Sequence, residues 1–347
     1  MSDWEVADLA SAARRAIDEA PVEVRPGLWS IPVDIPIASL KIVNVYVFEH
    51  PGGGVTLLDA GWDDHRSLTS LTEGLERTGH DLDDVRSVIV THAHPDHLGL
   101  AHVIRARTGA TVVVQQREAE RLGGPRSMPV RFRRAVADRF PHWGVPHAKI
   151  ADMVDPSAPV SEESWQVPVT GVADGELLDI PGWSVRAVWT PGHTGGHLCL
   201  HDPQHRLLFT GDHVLPRITP GVGSHPDEAN DALGEFLASL RKVAALDVEW
   251  VMPGHEYRFT DLPGRVADLL AHHDRRLDEV ESVVRAEPGA TGWRVTERIS
   301  WSRPLERFGA QMVRAAVAET VAHLVHLELL GRVRHTAAAG VERWVPA

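Results

Sequence analysis

In the stretch Thr91-His92-Ala93-His94-Pro95-Asp96-His97, three imidazoles and one carboxylate occur within six residues. The stretch follows the apolar run 88–90 and precedes a helix-like segment, 98–107. Polar groups at the end of a buried strand cost several kcal/mol unless a partner satisfies them. Because imidazole and carboxylate are the usual ligands of zinc and related ions, the stretch predicts a metal site. A histidine-rich surface turn is the alternative in a chain with 21 histidines.

Three later segments repeat this arrangement of a polar side chain after an apolar, strand-like run. They are Thr190-Pro191-Gly192-His193-Thr194-Gly195-Gly196-His197, Phe209-Thr210-Gly211-Asp212-His213 and Val251-Met252-Pro253-Gly254-His255-Glu256. Each segment places a His or an Asp in a glycine-containing turn just after the run. Such a recurrence is hard to explain by chance, and it favours the metal site over the surface turn.

The order His-x-His-x-Asp-His, Gly-His, Gly-Asp and Gly-His resembles the signature of the metallo-β-lactamase superfamily of hydrolases. The resemblance covers roughly residues 22–262. It is closest to the glyoxalase II-like and β-lactamase-like branch that carries a C-terminal winged-helix-type appendage. The resemblance implies an α/β fold, namely an αββα sandwich of the metallo-β-lactamase type with a small, mainly helical C-terminal domain.

We predict three parts along the chain. Residues 1–21 form an N-terminal helix, residues 22–262 the metallo-β-lactamase-like domain and residues 263–347 the winged-helix-like domain. The C-terminal part contains 12 arginines and 11 acidic residues. This near balance of charge is not typical of a DNA-binding surface.

Residues 116–167 differ from the rest of the central domain in charge. Between Arg117 and Lys149, eight basic residues accompany three acidic ones, in a chain whose net charge is −13. We interpret this segment as a lid insertion that receives an anionic substrate, because the guanidinium fork suits carboxylates and phosphates. The substrate-binding candidates are Arg131, Arg133 and Arg134. A packed insertion with solvated arginines is the alternative.

The resemblance also implies two divalent metal ions, which we expect to be zinc, with manganese or iron(II) as alternatives. Its ligand pattern assigns His92, His94 and His193 to one ion, Asp96, His97 and His255 to the second, and Asp212 to a bridging position. Asp96 is in addition expected to act in catalysis by relaying a proton. Behind the ligands, the expected orienting residues are Asp59, His197 and Tyr257.

The reaction that the resemblance implies is attack by a metal-bridged hydroxide on the carbonyl of a thioester, ester or lactone of a small acidic metabolite. Metal binding lowers the pKa of water from 15.7 to about 7, so no serine or cysteine nucleophile is required. Asp212 stands where the zinc β-lactamases have Cys or His, which disfavours antibiotic hydrolysis. The alternatives are a phosphodiesterase or ribonuclease of the same superfamily, a mononuclear iron sulfur dioxygenase, and a non-catalytic metal-bound regulator.

Composition limits the partners and the location that we expect. A net charge of −13 disfavours nucleic acid as a partner, since such binding depends on neutralising phosphates. Cys199 is the single cysteine, so no intrachain disulfide is available. Residues 1–5 do not resemble a signal peptide, and no apolar run reaches the roughly 18 residues of a membrane span. We expect a cytoplasmic protein with a small-molecule substrate, no membrane contact, and a homodimer as one option.

Overall fold

The computed structural model describes residues 20–37, 40–123, 128–154, 163–223, 231–338 and 340–347. The described strands are β1 (Val22–Arg25), β2 (Leu28–Asp34), β3 (Ile42–Glu49), β4 (Val55–Leu58), β5 (Val85–Ile89), β6 (Thr111–Gln115), β7 (Thr170–Val172), β8 (Arg186–Trp189), β9 (Leu198–Asp202), β10 (Leu207–Gly211), β11 (Trp250–Pro253), β12 (Val333–Ala338) and β13 (Val341–Pro346). The described α-helices are α1 (His65–Arg77), α2 (Pro95–Leu98), α3 (Ala101–Thr108), α4 (Gln116–Leu122), α5 (Met128–Arg139), α6 (His147–Met153), α7 (Ala232–Ala244), α8 (Leu262–Ala286), α9 (Gly292–Arg298) and α10 (Ala310–Leu329). The N-terminal helix predicted over residues 1–21 lies, up to residue 19, outside the described residues.

Two mixed sheets form the centre of the described structure. The seven-stranded sheet has the order β1-β2-β3-β4-β5-β6-β7, antiparallel from β1 to β4 and parallel from β4 to β7. Parallel neighbours need crossover connections, which α1, α2–α3 and the insertion provide. The four-stranded sheet has the order β11-β10-β9-β8, in which only β10 and β11 run parallel. Strands β12 and β13 form a separate hairpin.

The two sheets pack face to face, and helices cover both outer faces. Between the sheets, the rings of Tyr46 and Phe48 lie 5.0 and 5.2 Å from that of Phe209. Leu71 of α1 is buried in the core on the outer face of the first sheet, and Phe236 of α7 in the core on the outer face of the second. These layers are the predicted αββα sandwich of the metallo-β-lactamase type.

The ends of strands from both sheets meet at one edge of the sandwich. Leu198 donates its backbone N–H to the carbonyl oxygen of Thr91 (2.8 Å), so the loop after β5 touches the start of β9. Asn44 donates its N–H to the oxygen of Gly254 (2.7 Å), and Gly254 donates its own to Gly211 (2.9 Å). The polar segments that follow β5, β8, β10 and β11 therefore lie together.

The later helices of the insertion pack against the C-terminal region. Phe140 and Trp143 share a buried cluster with Val317 and Val321 of α10, and Trp293 donates its N–H to the oxygen of Trp143 (2.8 Å). The C-terminal region is mainly helical and ends in the β12–β13 hairpin, as predicted. Its first helix begins at Leu262.

None of the helices within the described ranges combines the length and the apolar character that crossing a membrane requires. The two longest, α8 and α10, have 25 and 20 residues. Charged side chains such as Arg265, Asp268 and Glu319 interrupt both.

Candidate metal centre

The loop after β5 and the short helix α2 carry four of the predicted ligands. Strand β5 ends at Ile89, and His94 caps α2, whose first turn begins with a proline. Proline suits this position because its fixed φ is already helical and its missing N–H would have no partner there. The turn thus places Asp96 and His97 on the helix and leaves His92 in the loop. Asp96 and His97 are buried at the same edge of the sandwich.

One group of ligand atoms comprises His92, His94, His193 and Asp212, all within 4.8 Å of one another. His92 Nε2 lies 2.8 Å from His94 Nδ1, and His193 Nε2 lies 3.2 and 3.1 Å from these two atoms. His193 Nδ1 donates to the oxygen of Gly221 (2.7 Å), which leaves its Nε2 with a lone pair. Burial and the neighbouring imidazoles hold the pKa of His92 well below its usual range. Three ring nitrogens that converge at these distances form a donor set that suits a divalent metal.

The second group comprises Asp96, His97 and His255, again with ligand atoms within 4.8 Å of one another. His255 donates from Nδ1 to the oxygen of Ile42 (2.8 Å), which turns its Nε2 toward Asp96 Oδ2, 3.3 Å away. Within the described part of the chain, the buried Nε2 atoms of His97 and His255 have no hydrogen-bond partner. Burial alone would raise the pKa of Asp96, but the positive charges of protonated His97 and His255 outweigh it and lower that pKa to about 2. A carboxylate beside two ring nitrogens that lack a hydrogen-bond partner is a donor set that suits a divalent metal, whose binding would displace the ring protons.

Asp212 faces both groups with different oxygens. Its Oδ2 lies 3.7 Å from His193 Nε2, while its Oδ1 lies 3.4 Å from His255 Nε2 and 3.6 Å from His97 Nε2. The preceding Gly211 has φ +46°, and a Cβ there would come within 2.9 Å of neighbouring side chains, so a glycine delivers this carboxylate. All seven predicted ligands therefore converge in two adjoining groups joined by Asp212.

Two of the three predicted orienting residues lie directly behind the ligands. Asp59, in the left-handed region at φ +64°, accepts from the N–H of Thr91 (2.8 Å) and from His97 Nδ1 (2.7 Å). His197 donates from Nδ1 to Thr190 Oγ1 (2.8 Å), and its Nε2 accepts the N–H of Asp212 (3.2 Å). His197 therefore supports the backbone of a ligand and does not itself face the metal positions.

The remaining predicted site residues, Tyr257 and three arginines, belong to neither group of ligands. Tyr257 is half-buried, and burial raises the pKa of its phenol. The three predicted substrate-binding arginines lie on α5 of the insertion. Arg131 donates to the backbone oxygen of Arg121, and Arg134 forms an exposed ion pair with Asp138 (3.6 Å). Roles for Tyr257 and the arginines remain predictions.

Sequence reasoning missed polar residues that hold the ligand loops in place. Asn44 donates from Nδ2 to the oxygens of Pro253 (3.0 Å) and Glu256 (3.2 Å), on both sides of His255. The signal was an amide within the mainly apolar strand β3. A second missed residue is Glu118, which is fully buried beside the first group. It lies three residues after the end of β6, at the strand ends where the ligands were found.

We expect Asp59→Asn to weaken metal binding at the second group about 10–100-fold. The carboxylate of Asp59 now accepts a hydrogen bond from His97 Nδ1, whereas the new amide would place an N–H group opposite that nitrogen. His97 would then carry its proton on Nε2, and this nitrogen would lose the lone pair that a metal needs. Competition with a chromogenic chelator measures the change. Asp34→Asn, at an exposed ion pair with Arg66, is the matched control. Equal affinities in Asp59→Asn and the control would contradict the orienting role.

Comparison with known proteins identifies the family to which this arrangement belongs. The sequence profile of the metallo-beta-lactamase superfamily matches residues 39–255. The chain belongs to the metallo-β-lactamase superfamily. It is therefore a member of a family of metal-dependent hydrolases, and the matched segment contains all seven residues of the two ligand groups.

Solved structures of this superfamily resemble the chain over nearly its whole length. A metallo-beta-lactamase family protein from Thermus thermophilus is 28% identical, with a TM-score of 0.72, and the match covers 94% of this chain and 100% of that one. A beta-lactamase domain protein from Burkholderia ambifaria is 26% identical, with a TM-score of 0.74, over 94% and 95% of the two chains. Both structural matches extend well beyond residues 39–255, which the family profile covers, and include helices of the C-terminal region.

Curated relatives are similar over a shorter part of the chain. The lactamase-like protein adaB of Aspergillus niger is 26% identical over 239 residues, which make up 68% of this chain and 58% of adaB. The lactamase-like protein nscB of Neosartorya fischeri is 31% identical over 151 residues, or 42% of this chain and 44% of nscB. The chain thus spans 58% and 44% of the lengths of these two relatives.

Proposed function

We propose that this metallo-β-lactamase superfamily member is a dinuclear hydrolase that cleaves a thioester, ester or lactone of a small acidic metabolite. The observation that carries the proposal is the position of Asp212, whose two oxygens face separate ligand groups at 3.4 to 3.7 Å. A carboxylate placed in this way suits a pair of cations. A single iron, as in a sulfur dioxygenase, would leave the second group of buried donors without a partner.

His92, His94 and His193 would hold one ion, and Asp96, His97 and His255 the other, with zinc as the expected metal. When bound, two divalent cations supply Lewis-acid activation of both water and the substrate carbonyl. The chain provides the geometry: hydrogen bonds to Gly221, Ile42 and Asp59 fix the rings of His193, His255 and His97.

Asp96 is the residue to which we assign proton transfer. Its pKa of about 2 keeps the carboxylate ionised near neutral pH, and its Oδ2 lies 3.3 Å from His255 Nε2. The carboxylate would accept a proton from the attacking water and donate it to the leaving group.

A substrate panel tests the proposed activity. Zinc-reconstituted protein is assayed with acyl thioesters, lactones and bis(p-nitrophenyl) phosphate. We expect turnover of thioesters or lactones well above that of the phosphodiester, and its loss in His94→Ala. Faster cleavage of the phosphodiester would replace the proposal with a phosphodiesterase, and metal binding without any turnover would favour a regulator.

The basic insertion supports an acidic substrate, because it carries eight basic against three acidic residues between Arg117 and Lys149. We expect the double variant Arg131→Ala, Arg133→Ala to raise KM at least about tenfold for anionic thioesters and to leave neutral esters unchanged, since a charged hydrogen bond contributes about 1.5–3 kcal/mol. Arg107→Ala, at an exposed ion pair with Asp83, is the control. Equal effects on neutral and anionic substrates would reject the lid role.

A further inference from the structure

Glu118 is a buried carboxylate that the proposed chemistry does not use. It lies on α4, the first helix of the insertion, and its side chain is 0% exposed. Its Oε1 accepts from the hydroxyl of Thr194 at 2.6 Å and faces the backbone N–H of Ala93 at 3.5 Å. Thr194 directly follows His193, and Ala93 separates the other two histidines of the first group. One carboxylate oxygen thus joins the two loops that carry three ligands.

The close packing around Glu118 shows that the surrounding loops are shaped to receive it. A Cβ added at Gly196 would lie 2.4 Å from Glu118 Cγ and 2.6 Å from its backbone nitrogen. Only glycine therefore lets the loop after His193 approach α4 so closely. The second oxygen, Oε2, accepts from Arg121 Nη1 at 3.2 Å, and this guanidinium compensates the buried charge.

We propose that Glu118 is a positioning residue, which sets the spacing between His193 and the His92–His94 loop and so tunes the affinity of the first metal position. This inference rests on the proposed dinuclear centre. Apart from its ion pair with Arg121 on the same helix, Glu118 makes its polar contacts with the loops of the first group. The second group is oriented by other partners, Asp59 and the oxygen of Ile42. Loss of Glu118 therefore affects one ion and spares the other.

Metal binding by Glu118 variants tests the proposal without relying on turnover. Glu118→Ala and Glu118→Gln are compared with wild type and with Glu120→Gln, an exposed acid on the same helix. Each is stripped of metal, titrated with Co²⁺ in competition with a chelator, and followed by its visible absorption spectrum. We expect wild type and Glu120→Gln to bind two ions. Glu118→Ala should bind one with unchanged affinity and the other about 10–100-fold more weakly.

Conservative variants keep the test valid if Glu118→Ala folds poorly. Glu118→Gln retains an oxygen that can accept from Thr194, so it should recover part of the affinity. Thr194→Val removes the other partner of this contact, and its effect should not add to that of Glu118→Gln, since the two residues share one interaction.

Three results separate the possible failures. Wild-type affinity at both positions in the Glu118 variants would overturn the positioning role and leave the dinuclear hydrolase intact. An equal loss at both positions would also overturn it, because that is the mark of a general structural defect. A wild-type protein that takes up no metal would instead overturn the proposed function on which this inference rests.

Discussion

Asp212→Ala is expected to lower kcat/KM for the best substrate about 10³-fold or more, which corresponds to about 4 kcal/mol of transition-state stabilisation. The variant removes the carboxylate that faces His193 on one side and His97 and His255 on the other. It leaves these imidazoles in place but takes away the negative charge shared by the two groups. Steady-state kinetics on zinc-loaded protein, with metal analysis of the same sample, measure both consequences.

The matched control for this prediction is Asp247→Ala. Asp247 forms a surface ion pair with Arg206, and its side chain is 78% exposed. Exposed pairs contribute little to stability, so this variant should keep wild-type kinetics and metal content. An Asp212→Ala protein that retained both ions and more than a tenth of wild-type activity would contradict the bridging role.

Removal of metal by a chelator is expected to abolish activity and to lower the free energy of unfolding by about 4 kcal/mol for each ion that had been present at 1,000 times its dissociation constant. Without cations, the buried His97 Nε2, His255 Nε2 and Asp212 Oδ1 have no hydrogen-bond partner in the described structure. Unpaired buried polar atoms destabilise the native state. Thermal unfolding before and after dialysis, and again after zinc is restored, measures the change.

The specificity of the metal effect can be checked with His94→Ala. This variant lacks one ligand of the first group, so chelation should lower its unfolding temperature less than that of wild type. Identical unfolding of the metal-free and zinc-loaded wild type, with activity unaffected by the chelator, would contradict a metal centre.

The positions of the ligands could be predicted from the sequence because each follows an apolar run. The recurrence of polar residues after such runs favoured a single metal site, although β5 belongs to one sheet and β10 and β11 belong to the other. The backbone hydrogen bond from Gly254 to Gly211, 2.9 Å long, places two of these segments side by side. The Nε2 atoms of His193 and His92 lie 3.2 Å apart although the two residues are distant in the sequence. The prediction that these two residues share a metal ion came from the family resemblance.

Glu118 could not be predicted in the same way. In sequence it resembles an ordinary surface acid of a helix rich in charge, between Arg117 and Ala119. Only the fold shows that α4 turns this side chain inward, against a loop that lies 76 residues further along the chain. Charge counts therefore identified the insertion as unusual but not which of its residues contacts the candidate centre.

Local backbone geometry explains why the chain just before His193 contains little regular strand. Within residues 176–189, regular strand is confined to Arg186–Trp189, with an isolated bridge between Leu177 and Arg186. Pro181 lacks an N–H for a ladder, and Gly182 turns the chain at φ +86°. The turn therefore leaves only a short region of strand before His193. Strand β8 still leads into the loop that carries His193.

A crystal structure of the zinc-loaded protein, with anomalous diffraction measured at the zinc edge, tests the central claim most directly. The account predicts two anomalous peaks per chain. One should lie in contact with His92, His94 and His193, the other in contact with Asp96, His97 and His255, and Asp212 should touch both. Zinc-loaded crystals with no peak among these residues, or with zinc only at surface positions, would contradict it.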